Sequence, residues 1–301
     1  MCGDRMKDTL MKAYAFHENA RVYVATTTDL VQEAQSIHDL WPTATAALGR
    51  FLTGSVMMGA MYQGALNHND TELTLRIEAN GPIEGMVATT NAHGHVRGYV
   101  GNPHVFMQYL SGKLNVKAVV GEGYLHVTKD LKVRDIFTSS VKLTSGEIAE
   151  DFAYYYTASE QIPSAVSLGV LVDEDHRVLA AGGFIIQMLP GHKEDDIKAV
   201  EAAIAGMPPI SEFIAQGHDA HAMLEQLCGQ GSYQLLETLP LSYQCDCSRE
   251  KFERGLVALG EKELLSMLEE DGHIETTCHF CNKKERFDEE DIARIVVAST
   301  P

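Results

Sequence analysis

Two tight cysteine pairs in the last fifth of the chain carry the clearest chemistry: Cys245-Asp246-Cys247 and, thirty residues on, Cys278-His279-Phe280-Cys281. Four soft thiolates so arranged suit one Zn²⁺ per chain, since zinc favours tetrahedral sulfur coordination and has no redox chemistry of its own. The second pair has ordinary zinc-knuckle spacing. The first pair has a single intervening residue, which leaves little room for both sulfurs to meet one ion. The chain must bend there, and the spacing predicts a strained site. His273 and His279 stand close enough in sequence to replace a sulfur, but four cysteines already complete the set. Cys228 reads as a buried core thiol on a helix face and Cys2 as an incidental terminal thiol.

A bound zinc ion holds cysteines as thiolates, and thiolate is the form that oxidants attack. Such a site is structural while reduced and reactive once oxidant arrives. Losing the metal removes on the order of 10 kcal/mol of folding energy from a small domain. A core of about 60 residues does not replace that, so oxidation is expected to unfold it. The plainer reading is a structural zinc site with no switch.

Other chemistry finds less support. A thioredoxin-type oxidoreductase needs its Cys-x-x-Cys at the start of a helix after a strand. Cys278 follows an extended stretch, but Asn282 to Phe287 carries no apolar helical stripe. A zinc-bearing thiol oxidoreductase is nonetheless the alternative to weigh. Gly191-His192-Lys193 lacks the rest of a phosphate loop, and Gly121-Glu122-Gly123 lacks a third glycine. Thirteen histidines show no His-Glu-x-x-His spacing. Glu150-Asp151 beside Tyr154-Tyr155-Tyr156 reads as charge near a helix N-terminus. No catalytic set emerges, and the chain is expected not to be an enzyme.

The elements that position the cysteines follow from periodicity. Ala20–Thr28 reads as a strand. Thr28 or Asp29 caps a helix running to His38, with Leu30, Ala34 and Ile37 on one face, and Pro42 starts a helix over Thr43–Gln63. From Glu72 to Val133 the texture is strand and turn: Leu73–Ile77, Gly85–Ala88, Val96–Val100 and Tyr124–Val127. A helix over Ser145–Gln161 follows, then a hairpin of Val166–Val172 and Val178–Met188. Helices segregated from a strand-rich block predict an α+β fold with a mostly antiparallel sheet over residues 1–189. Residues 190–240 read as a jointed helical linker. Its apolar stripes are Ile197, Val200 and Ile204, then Ile210, Phe213 and Ile214, with a third helix over Asp219–Gly229. Residues 241–301 form a small C-terminal zinc-binding domain. Ser248 caps a helix with Phe252, Leu256 and Leu259. A second helix carries Leu264, Leu265 and Leu268, His273–Thr277 is extended, and Asp288 caps a last helix with Ile292 and Ile295.

The composition narrows the setting. Of 301 residues, 45% are hydrophobic and 22% charged, and 42 acidic against 24 basic residues give a formal charge of -18. That charge disfavours nucleic acid, and the densest basic stretch, Lys283-Lys284-Glu285-Arg286, is short and contains an acid. No apolar run approaches the ~20 residues needed to span a bilayer, and Met1–Lys12 lacks the apolar segment of a secretory signal. A reducing cytoplasm is the expected setting, where clustered cysteines serve as metal ligands or reactive thiols.

Several blocks resemble the heat-shock 33-kDa redox-regulated chaperone family. They are His38-Asp39-Leu40 through Thr43 to Arg50, Gly81-Pro82-Ile83, Val96 to Val100, Ser145 to Asp151 and Ser159 to Ser164. Ala181-Gly182-Gly183-Phe184 to Pro190 and both cysteine motifs complete the set, in the same order along nearly the whole chain. Ser139-Ser140 and Trp41 depart from the pattern locally. The resemblance implies an ATP-independent holdase that binds unfolding proteins after oxidation, all four paired cysteines being zinc ligands and redox sensors. It implies disulfides Cys245–Cys247 and Cys278–Cys281, one of three possible connectivities. It also implies a homodimer on activation and transfer of clients to an ATP-driven refolding chaperone. Beside it, the residue-level reading supplies a mechanism. Oxidation expels zinc, the C-terminal domain melts and the linker is released. Ile197, Val200, Ile204, Ile210, Phe213 and Ile214, or the sheet beneath them, then bind clients.

Overall fold

The computed structural model describes residues 7–62, 71–131 and 136–299. Cys2, Gln63 and Val133 lie outside the described residues.

The first hairpin joins Thr9–Ala15 (β1) to Ala20–Thr26 (β2), so the sheet begins one strand earlier than the sequence suggests. Its turn holds Phe16, His17 and Glu18 at φ 54, 59 and 63, a left-handed run without glycine. Thr28–His38 (α1) and Pro42–Ala60 (α2) follow. The α1 start is capped from outside: Leu30 N–H donates to Asp8 Oδ2 at 2.7 Å, and the preceding Thr27 makes no side-chain cap. That role falls to Asp8, not to Thr28 or Asp29, because β1 carries the carboxylate to the helix end. Every residue of α2 except Arg50 is buried. Its Ala, Gly, Thr and Ser content lets it lie between sheets, and its hydroxyls are satisfied by backbone carbonyls, as where Thr53 donates to Gly49 O at 2.8 Å.

Glu72–Ala79 (β3), Met86–Asn91 (β4) and His95–Val100 (β5) come next. Val116–Val120 (α3), Gly123–Asp130 (β6) and Phe137–Lys142 (β7) complete the block. The short α3 and the strand β7, exposed along most of its length, carry too little pattern to be read from sequence. The helix expected over Ser145–Gln161 is shorter, Ala149–Ala158 (α4). The residues before it instead wrap around Asp151, whose carboxylate accepts from the N–H groups of Thr144, Ser145 and Ile148. Ser164–Val172 (β8) and Val178–Met188 (β9) form the expected hairpin.

Glu194–Ala205 (α5), Ile210–Ala215 (α6) and Ala220–Cys228 (α7) follow as three helices. The stretch then departs from a helical reading, because Tyr233–Pro240 (β10) pairs antiparallel with β1. Its leucines do not alternate with polar residues, so the strand state is set by the open edge of β1. Ser242–Tyr243 (β11) adds to β5 in parallel.

Two sheets result, in strand orders β10-β1-β2-β9-β8 and β11-β5-β4-β3-β6-β7, antiparallel apart from β11. The fold is α+β. The main core lies around α2, which packs on β4 and β5 of one sheet and β8 and β9 of the other. A second core lies on the opposite face of the five-stranded sheet, under α5, α6 and α7. There α6 comes so close that a Cβ at Gly169 would sit 2.7 Å from the backbone Ser211 N, and one at Gly182 would sit 2.5 Å from the side-chain Ile214 Cδ1. The chain divides into two compact units, one ending at Gln244 and the next beginning at Cys245.

Burial pushes the Asp8 carboxyl up from 3.8 to about 7, against the pull of its backbone donors. The folded state then keeps this proton to higher pH than the unfolded state does. Its contribution to stability is full below about pH 4 and declines as pH rises to about 7. Asp8→Asn keeps an acceptor for Leu30 and cannot ionise. Relative to wild type, its melting temperature should be matched near pH 4 and raised at pH 8. Melting curves that run parallel across that range would contradict this account of Asp8.

Candidate metal centre

The second unit is small. Arg249–Val257 (α8), Glu261–Asp271 (α9), Ile274–Thr277 (β12), Lys284–Phe287 (β13) and Glu289–Ser299 (α10) surround a core of Leu256, Leu264, Ile274, Phe287, Ile292 and Ile295. Ser248 caps α8 as expected, accepting from Lys251 N–H. The final helix starts after Asp288, whose Oδ1 accepts from Asp291 N–H at 3.0 Å.

Each cysteine pair is placed by its neighbours. Cys245 and Cys247 precede the Ser248 cap, and Asp246 between them pairs with Lys251 at the start of α8. Cys278 and Cys281 occupy the hairpin turn between β12 and β13. Cys278 N–H donates to Lys283 O at 2.9 Å, and Asn282 N–H returns to Cys278 O at 2.8 Å. The turn is completed by Asn282 at φ 56, a conformation that asparagine tolerates well. No residue of 245–247 is left-handed, so the expected bend at the first pair uses ordinary backbone.

The four Sγ atoms lie within 4.8 Å of one another. Cys245 Sγ is 3.7 Å from Cys278 Sγ, and Cys247 Sγ is 3.3 Å from Cys281 Sγ. A tetrahedral site with metal–sulfur bonds of 2.3 Å has sulfur–sulfur edges of about 3.8 Å. The cluster therefore has the dimensions to hold a metal ion. Cys278 is buried and the other three are half-buried. Burial first, then the crowding of neighbouring sulfurs, pushes the Cys247 thiol far above its ordinary value, and burial also raises Cys281. Four sulfurs packed this way disfavour thiolates unless a cation offsets their charge. The group takes in neither His273 nor His279.

Arg249 braces the two halves of the cage, a role sequence reasoning missed. Its guanidinium lies 4.3 Å from the Phe287 ring centroid. It also reaches Asp291 at 2.5 Å, Glu285 at 3.4 Å and the Arg286 carbonyl at 3.1 Å. The helix after the first cysteine pair is thereby tied to the strand after the second. Arg249 stands in the block Cys245–Glu250, but its partners lie 36 to 42 residues away, so spacing alone gives no sign of the contact.

The remaining candidates fall elsewhere. Cys228 ends α7 half-buried, where burial pushes its thiol up to about 12. Val200, Ile210, Phe213 and Ile214 are buried in the second core, and Ile197 and Ile204 pack half-buried against it. The structure thus brings both linker stripes onto one sheet face. Met223, Leu224 and Leu227 of α7 join them there, which the helix over Asp219–Gly229 foreshadows without naming residues. Asp196 at the head of α5 accepts from Lys193 N–H at 2.8 Å and from Asn19 Nδ2 at 3.0 Å, so the left-handed β1–β2 turn anchors this helix. The Cys-x-x-Cys sits in a hairpin turn and not at a helix N-terminus, which removes the structural context a thioredoxin-type reading needs. Among the described residues, no helix is long and apolar enough to cross a membrane.

Comparison with known proteins agrees with this arrangement. The family model described as Hsp33 protein matches residues 8–288. The 33 kDa chaperonin of Bacillus velezensis is 48% identical over 290 residues, 96% of this chain and 98% of that one. The 33 kDa chaperonin of Bacillus subtilis is 47% identical over 287 residues, 95% of this chain and 97% of that one. A crystal structure of the 33 kDa chaperonin from Thermotoga maritima superposes with a TM-score of 0.87 at 36% identity, covering 97% of this chain and 99% of that one. These relatives are named as chaperonins and not as enzymes.

Phe287 is fully buried in the small core. Phe287→Ala should cost about 3–5 kcal/mol. Because metal binding and folding of such a unit are coupled, zinc affinity measured by chelator competition should fall roughly 100-fold or more. Unchanged affinity would show that the cage closes independently of the core beside it.

Proposed function

The chain belongs to the Hsp33 protein family, and from that membership we propose that it is a redox-regulated, ATP-independent holdase, its reduced form held inactive by one zinc ion on Cys245, Cys247, Cys278 and Cys281. The observation that carries this reading is the convergence of the four sulfurs within 4.8 Å inside a unit whose apolar core is too small to be secure alone. When bound, zinc supplies a structural cross-link worth on the order of 10 kcal/mol to such a unit.

The chain's own residues do the rest. On exposure to peroxide, Cys245–Cys247 and Cys278–Cys281 each close a disulfide. Each pair of thiolates gives up two electrons, one peroxide takes them, and with two protons it leaves as two waters. The sulfurs lose their negative charge and with it their hold on a cation. A small core of six buried apolar side chains and the Arg249 ion pairs then remain as the main opposition to unfolding of the tail. Unfolding begins at Cys245, next in the chain to β11 and five residues beyond β10. Of the two, β10 is the edge strand of the sheet on which α5, α6 and α7 rest. Its loosening frees Ile197, Val200, Ile204, Ile210, Phe213 and Ile214, and the face of β1, β2 and β9 beneath them, to bind unfolding clients. Apolar contact is non-directional, which suits a broad client set. The charge of -18 keeps such complexes soluble. The reading extends to a homodimer on activation, to hand-over of clients to an ATP-driven refolding chaperone, and to residence in the cytoplasm.

The direct test is suppression of thermal aggregation of a model client, with zinc release followed in parallel. The reduced, zinc-loaded protein should be inactive. Peroxide with mild heat should release about one zinc per chain, by the four-thiolate count, and switch the activity on. Equal activity before and after oxidation would reject the switch. Asp196→Ala removes the anchor at the head of α5, and activation should then need less oxidant or less heat. An unshifted activation profile would show that release of α5 does not limit the transition.

A further inference from the structure

The five-stranded sheet ends on β8, and that edge is unguarded. Ser164–Val172 contains no charged residue and no proline across nine residues. The opposite edge, β10, carries Glu237 and Pro240, and the β7 edge of the other sheet ends in Lys142. Natural edge strands are normally blunted by such residues, because an open row of N–H and C=O groups templates another strand. On the side away from β9, no backbone group of Ala165–Leu171 has a hydrogen-bond partner among the described residues.

This edge opens into a groove of about 1260 Å³, to which residues 167–173 contribute without a break. One wall is the α2 start and the loop clamped to it, where Thr43 Oγ1 donates to Met107 O at 2.9 Å. That wall presents Trp41, Phe106 and Tyr109, which are 41%, 47% and 43% exposed. The other wall is the start of α6, held against the strand at Gly169. The charges are biased. Arg50 and Glu147 neutralise each other at 2.7 Å, and Asp173 is taken by Arg177. Glu174 and Glu212 have no ion-pair partner among the described residues and outnumber Lys113, the one remaining cation of the lining.

We propose that this groove binds an extended polypeptide segment by adding it as a sixth strand to β8, with apolar side chains against Trp41, Phe106 and Tyr109 and a basic residue beside Glu174 and Glu212. Main-chain hydrogen bonds supply sequence-tolerant affinity, and the aromatic wall and the acids set the preference. The nature of the occupant, an unfolded segment, rests on the holdase reading. The groove itself lies outside the linker stripes and is present with α5, α6 and α7 docked, so it is open to test without oxidation.

Trp41 is the chain's single tryptophan, so its fluorescence reports on the groove directly. The reduced, zinc-loaded full chain is titrated with a nine-residue peptide of alternating apolar and threonine residues with lysine at each end. A saturable Trp41 change is expected. N-methylation of one alternate set of peptide amides should weaken binding tenfold or more, and of the other set less than twofold. Glu174→Gln with Glu212→Gln should weaken binding about threefold and flatten its salt dependence. No Trp41 response, or equal binding of the two methylated peptides, overturns the proposal. A Trp41 change that follows protein concentration alone, with a dimer in sedimentation, assigns the edge to a second copy and overturns it as well. Aggregation suppression by the oxidised chain, measured alongside, separates the two readings. A silent groove in a working holdase sinks the groove alone, and a responsive groove in a protein that never holds clients sinks the holdase alone.

Discussion

Four sulfur atoms drawn from two segments thirty residues apart meet within 4.8 Å, and the C-terminal unit is organised around that meeting. Nothing in apolar packing calls for it. Burial, with neighbouring sulfurs adding to it at Cys247, raises the Cys247 and Cys281 thiols, so thiolates form here only where a cation offsets their charge. The same negative charge that binds a cation makes the sulfurs nucleophilic towards oxidants. In the proposed reading a structural cross-link and a chemical sensor are one set of atoms, so neither role is altered without the other.

The two units differ in what holds them. The first has a long buried helix between two sheets and a second core under three helices, a large apolar area that does not depend on any ion. The second has six buried apolar side chains and a half-buried set of ion pairs converging on Arg249. Ion pairs open to solvent on one side contribute little individually, so the small unit is the weaker of the two. In the proposed switch, oxidation acts on the tail first while the core around α2 stays intact. Late in the first unit lie α5, α6 and α7, whose apolar faces cover the five-stranded sheet. Their contacts are close, as at Gly169 and Gly182, yet the helices are short and broken by Pro208-Pro209 and Gly217. A cover in three jointed pieces comes away more easily than one continuous helix.

Much of this was legible in the sequence because the relevant signals are local. The spacing within each cysteine pair, the Ser248 cap, the Val166–Met188 hairpin and each linker stripe are all local signals, and the structure forms a cysteine cluster, the cap, the hairpin and the apolar helix faces there. What escaped notice depends on distant partners. The strand state of β10 is imposed by β1, more than two hundred residues earlier in the chain. The cap of α1 arrives from Asp8 on a neighbouring strand. Arg249 stacks on Phe287, and no periodicity connects the two. The open edge of β8 is likewise a property of sheet order: its residues read as a good strand, and only the topology shows that one side has no neighbour.

The central claim is that the metal on the four sulfurs keeps the tail folded while the body stands without it. Hydrogen exchange, resolved by segment on the reduced chain with and without a zinc chelator, tests this most directly. The account predicts that amides of residues 249–299 lose protection on chelation while β9 keeps its own. Undiminished protection across β12, β13 and α10 in the metal-free, reduced protein would contradict it.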